Sequence, residues 1–162
     1  RSARRTCAWS TSARHMLKRD AAARVQSMRH VQVIRWSVAL VVLAYGLIKV
    51  GVLGQQFVYD WQEVTFRRDD PTPFTMIWYF FGYSRAYGTF IALCEIIPAV
   101  MLLLPRTRTL GALGVFAVML NVTVMDWAFG MPLPATLLAT GLMLASAYLL
   151  WLDRYRLARL VK

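Results

Sequence analysis

Cysteine is nearly missing from this chain. Cys7 and Cys94 are the only two, and no Cys-x-x-Cys occurs, which excludes the usual thiol–disulfide membrane chemistry. Histidine is as scarce. His15 and His30 both precede the first apolar run, so no histidine pair is placed to hold a haem between apolar helices. No His–carboxylate cluster suits copper or a di-iron centre, and no Gly-rich phosphate loop is present. The expectation is a chain with no cofactor of its own. Acidic residues are few, 8 against 19 basic ones. Charge of either sign is almost absent from four long stretches.

Those stretches are residues 36–54, 86–104, 110–129 and 135–152. The first three carry one charge each and the fourth none. A helix needs roughly 20 mostly apolar residues to cross ~30 Å of hydrocarbon. Strands of a membrane barrel alternate in polarity, and these runs do not. Four buried helices of a soluble protein are the competing reading. A composition 58% hydrophobic, with mean hydropathy +0.46, argues against it. The predicted fold class is an all-α membrane protein, a four-transmembrane-helix bundle with an N-terminal interfacial basic helix.

The basic residues outside the runs are sorted by side. Nine precede the first run, Arg106 and Arg108 lie between the second and third, and four follow the fourth. That makes fifteen on one side, against Arg67, Arg68 and Arg85 on the other. The positive-inside rule then predicts a multi-pass inner-membrane protein, in a bacterial cytoplasmic or a mitochondrial inner membrane, with both termini on the cytoplasmic or matrix side. The net charge of +11 reads as a membrane-surface feature, with anionic lipids as partners. Nucleic-acid binding is not expected, since the charges flank the runs and no recognition motif accompanies them.

Residues 1–31 form a basic juxtamembrane extension. The chain begins with Arg1, which suggests processing or a start inside a longer product; Met16 and Met28 are alternative starts. The Arg-, Ala- and Ser-rich composition is that of the end of an organellar transit peptide or of a lipid-surface segment. Met16, Leu17, Ala21, Val25 and Met28 fall at helical spacing, predicting an amphipathic helix on the membrane surface. If ordered, such a tail calls for something to hold it, a partner protein being one candidate. Residues 55–85 form an exposed loop in which residues 70–73 read as a turn. Residues 74–83, FTMIWYFFGY, are dense in aromatics and suit anchoring at headgroup level. The alternative is a docking surface for a quinone, a pigment or a neighbouring subunit. Residues 154–162 form a basic tail.

Lys49, Glu95, Asn121 and Asp126 are polar residues inside the apolar runs. A charge at the bilayer centre costs at least ~2.5–3.5 kcal/mol, so each needs a partner or a polar cavity. Depths reckoned at 1.5 Å per residue put Lys49 about 8 Å from the outer end, Glu95 about 14 Å, Asn121 about 12 Å and Asp126 about 5 Å. All four fall in the outer half, and a Lys49–Glu95 pair is the simplest way to neutralise both. Asp126 is expected to reach water. Pro98 cannot donate to the carbonyl of Cys94, which opens the turn beside Glu95. Two readings of this spot stand: an ion pair that fixes packing, or a site for a proton, a quinone head group or another small polar ligand. Small residues at Gly88/Ala92, Gly111/Gly114 and Gly141/Ala145 suggest close helix approach.

Gly46–Leu47–Ile48–Lys49, Glu95, the stretch LLLPRTRTLGALG at 102–114 and Asn121–Val122 together resemble the DoxX-like family of small four-helix membrane proteins. The resemblance covers about residues 33–155. It implies similarity to the small subunit of a thiosulfate:quinone oxidoreductase associated with a terminal oxidase, and it marks Lys49, Glu95 and Asn121. The leading expectation is a non-catalytic accessory subunit of a larger electron-transport complex, respiratory or photosynthetic. It would sit among other membrane subunits, with a quinone or lipid at the bundle surface. The alternatives are a quinone-linked oxidoreductase component using Glu95 with Lys49, and a small-solute or lipid-handling protein.

Overall fold

The computed structural model describes residues 26, 28–50, 72–73, 76–77, 80–81 and 84–160. The chain divides into residues 1–34 and 35–162, and the packing below concerns the second unit. Every regular element among the described residues is helical. The elements are α1 (Met28–Lys49), α2 (Arg85–Leu103), α3 (Arg108–Ala128), α4 (Leu133–Leu152) and the short α5 (Arg154–Leu160). The first four are long and apolar enough to cross a membrane. This is an all-α, multi-pass membrane bundle.

Helix α1 is described from Met28, eight residues ahead of the apolar run, to Lys49, with Val50 in the following turn; Gln26 is helical as well. Arg29, His30, Gln32 and Arg35 interrupt hydropathy there but are compatible with helical backbone. The apolar boundary and the helix boundary are therefore different things at this end. The proposed surface helix through Met16 and Val25 lies outside the described residues, as does most of the 55–85 loop. Helical backbone does occur within that loop at Pro73, Met76, Ile77, Phe80 and Phe81.

Consecutive helices pack through small residues. Gly46 of α1 faces α2: a methyl there would come within 3.1 Å of the Ala92 carbonyl oxygen and 3.3 Å of Glu95 Cβ. Gly111 of α3 lies against the backbone at Met101 and Leu102 of α2, and Gly114 against the Pro98 ring. Helix α3 also packs along α4, where Trp127 Nε1 donates to Thr140 Oγ1 at 3.2 Å. The buried face of α3 runs Thr109, Ala112, Val115, Met119, Thr123 and Asp126, the spacing of one helical stripe. The core includes Ala39, Val42, Ala92, Ala99 and Leu102. Leu93, Ile97, Leu113, Val124, Leu137 and Leu144 point outward. In water such a surface would drive association; in hydrocarbon it is the solvent-facing side. Gly141 has nothing within 4 Å of an added methyl, so the Gly141/Ala145 pair makes no close helix contact at Gly141.

The helix ends are closed chemically. Ser84 caps α2 by accepting from the Tyr87 N–H. Thr107 Oγ1 donates to the Met101 carbonyl at 2.9 Å, filling one acceptor that the end of α2 leaves free. Helix α3 stops in a Schellman turn: Gly130 has φ +62°, and the Met131 N–H bonds back to the Asp126 carbonyl at 2.9 Å. An L side chain at that φ is strained, so Gly130→Ala is expected to lower stability by about 1–2 kcal/mol. Reversible unfolding in mixed micelles would measure it. An unchanged midpoint would show that the turn relaxes out of the left-handed region.

Candidate functional site

Two ion pairs, Lys49–Glu95 and Arg108–Asp153, sit where the helices bring complementary groups level. Lys49 is the last residue of α1, and its Nζ donates to Glu95 Oε1 at 2.5 Å. Glu95 lies mid-way along α2 and is 1% exposed. Its other oxygen, Oε2, is buried with no hydrogen-bond partner. The pair expected from depth alone is therefore present. Lys49, however, stands at the helix end rather than about five residues inside a span.

Asp126 differs from expectation. It is 7% exposed and belongs to the buried stripe of α3, so it does not face water. Depth reckoning missed this because height along the axis says nothing about which face a residue takes. Lys49 is the charged group that acts on it. One turn earlier on the same stripe, Thr123 Oγ1 is also buried without a partner. Asn121 stands apart from this group, on the exposed face of α3. Two residues from Thr123 is about 200° around the helix, so Asn121 cannot share the stripe.

The antiparallel register joins these groups. Gly111 lies on Leu102 and Gly114 on Pro98. Continued along both helices, that register puts Glu95 and Asp126 about 12 Å apart along the axis. Lys49 lies three residues beyond Gly46, hence between them in height. The result is a column in height from mid-bundle to the end that carries the 55–85 loop: Glu95 bonded to Lys49, Lys49 acting on Asp126, and the Thr123 hydroxyl on the Asp126 stripe. Pro98 lies within α2 one turn from Glu95, and Gly114 makes room for its ring. The column has hydrogen-bonding capacity that the protein does not use. It is equipped to hold a polar group, or to pass a proton, in an otherwise apolar setting.

A second polar cluster closes the opposite end. Arg108 forks onto Asp153, with Nε 3.2 Å from Oδ2 and Nη2 3.3 Å from Oδ1. Thr109 Oγ1 donates to the same Oδ2 at 3.0 Å. This ties the start of α3 to the residue after α4 with a bidentate, charge-assisted contact. Arg35 of α1 is buried close enough to feel both Arg108 and Asp153.

Against this geometry, comparison with known proteins yields a relative that shows the family. The uncharacterized protein YwoB of Bacillus subtilis (strain 168) is 40% identical over 112 residues, 68% of this chain and 68% of that protein. The chain belongs to the YwoB family. No family model matches it, and no solved structure does either.

Sequence reasoning missed two features of this YwoB-family bundle. The Arg35–Arg108–Thr109–Asp153 cluster was counted only as positive-inside charge. The available signal was Asp153 itself, the lone acid after the last run, placed one residue past a helix end where an arginine from the next loop can reach it. The other feature is an aromatic group that the 74–83 segment shares with α2. Phe81 stacks on Tyr87 at 6.0 Å, and Phe80 meets Phe81 and Tyr87 edge-on at 5.6 and 5.7 Å. With exposed Trp127 and Phe129 they ring one end of the bundle; exposed Trp36, Trp151 and Tyr155 ring the other. Two such belts are what the two membrane interfaces select.

Proposed function

We propose that this protein is a non-catalytic membrane subunit of a quinone-linked electron-transport assembly, of the DoxX-like kind. Its contribution is a head-group site at Lys49, Glu95 and Asp126. The observation that carries this reading is the unfilled capacity of the column: Glu95 Oε2 and Thr123 Oγ1 are both buried without partners. A quinone oxygen accepts hydrogen bonds and a quinol hydroxyl donates them. Lys49 and Thr123 supply donors for the first state, and Glu95 Oε2 an acceptor for the second. The apolar outer faces of α2 and α3 suit an isoprenoid tail. The same reading sets both termini on the cytoplasmic or matrix side, supported by fifteen basic residues against three.

Quenching of the tryptophan fluorescence of the purified protein by a soluble quinone tests it. Saturable binding is expected, weakened at least about tenfold in Glu95→Gln, which loses one charge-assisted contact. Equal affinity in wild type and Glu95→Gln would sink the assignment of the site. Stoichiometric co-purification with a haem- or flavin-bearing subunit is the expected counterpart for the assembly. A colourless, free bundle that nonetheless binds quinone would overturn that half alone.

A further inference from the structure

Among the described residues, the cluster at the terminal end of the bundle holds more positive than negative charge. Arg35 is 9% exposed, and its Nε is buried with no hydrogen-bond partner. The nearest carboxylate does not serve it. Both oxygens of Asp153 are taken, by Arg108 through Nε and Nη2 and by Thr109 through its hydroxyl. Arg35 therefore sits beside a second arginine and a carboxylate already engaged, and the group carries one net positive charge. A buried guanidinium nitrogen left without a hydrogen bond is costly, and arginine cannot escape by losing its proton. A bound anion would complete the arrangement.

We propose that Arg35 and Arg108 form a binding site for a phosphate oxyanion, supplied by the head group of an anionic phospholipid. Three features select that ligand. A phosphodiester bears one negative charge, which balances the cluster. Guanidinium groups present paired donors in the fork geometry that phosphate oxygens accept. The site also lies at interface level: Arg108 opens α3, Asp153 directly follows α4, and Trp36 and Trp151 stand exposed at the same end. Arg154, at the same end, is engaged elsewhere, 5.0 Å over the Trp151 ring. Bound there, a lipid would bridge α1 to the α3–α4 pair through its phosphate, and retained lipid would be part of the folded bundle.

The test compares wild type, Arg35→Gln and the control variant Arg154→Gln, each stripped of lipid in a neutral detergent. Thermal unfolding is followed with and without phosphatidylglycerol, and separately with inorganic phosphate. Lipid at about a hundredfold over its Kd is expected to raise the wild-type Tm by about 5–10 °C. Arg154→Gln should keep that shift and Arg35→Gln should lose most of it. Without lipid, Arg35→Gln should be at least as stable as wild type, because it removes an unmatched buried charge. A purely structural arginine would instead make the variant less stable in both conditions, and that result would overturn the site. So would a lipid shift that survives Arg35→Gln. A shift produced equally by inorganic phosphate would uphold the oxyanion site and overturn the lipid as its source.

Discussion

Glu95→Leu is expected to destabilise the bundle by about 3–5 kcal/mol, the usual cost of removing one partner of a buried ion pair. The loss comes less from the broken contact than from what remains. Lys49 would keep its ammonium at the packed junction of α1 and α2, with Asp126 as the other acid acting near it among the described residues. Lys49→Met should cost a comparable amount by stranding a carboxyl that is 1% exposed. The double variant Glu95→Leu/Lys49→Met should recover much of either loss, since both charges leave together and the replacements are apolar. Denaturation in mixed micelles, run as a double-mutant cycle, reads the coupling directly. If the single losses simply add, the pair is not a coupled unit. If both singles are neutral in stability, the column is maintained for binding rather than for packing.

Gly111→Val is expected to be the most damaging change outside the charged column. A methyl at Gly111 would fall 2.3 Å from the Leu102 nitrogen and 2.6 Å from the Met101 carbonyl carbon. Those are backbone atoms, which cannot rotate away as a side chain can. Helices α2 and α3 would have to separate at the end where the Thr107 hydroxyl bonds the Met101 carbonyl. Overpacking of this kind costs about 1–3 kcal/mol, and valine, branched at Cβ, lies at the upper end. Gly141→Val is the matched control. Nothing lies within 4 Å of a methyl there, so a change within about 0.5 kcal/mol is expected. Comparable losses at the two positions would mean that α2 and α3 do not meet as closely as described.

How far the site could be read in advance depended on which coordinate was needed. Height along a helix follows from residue number, so Lys49 and Glu95 could be paired from their depths. Rotation about the helix follows only once one residue's neighbours are known. That is why Asp126, placed by depth near water, is buried, and why Asn121, marked by resemblance, faces outward. The glycine pairs divide in the same way. All three share a small-residue spacing, but Gly111 touches backbone while Gly141 touches nothing.

The sequence by itself determined the class. Four charge-poor stretches of membrane length, bounded by arginines sorted to one side, admit a helical bundle and little else, because backbone in hydrocarbon must satisfy its own hydrogen bonds. Only the tertiary structure decided which polar residues meet. It set Arg108, not Arg35, in the fork on Asp153, and left the Arg35 Nε buried without a hydrogen-bond partner. It gathered Glu95, Lys49, Thr123 and Asp126 into one column and excluded Asn121. The reason is physical. Insertion into the membrane is set by each segment's own transfer energy, which is local in the chain. The matching of buried charges depends on the rotation and register of helices far apart in the chain, which packing against neighbours alone can set.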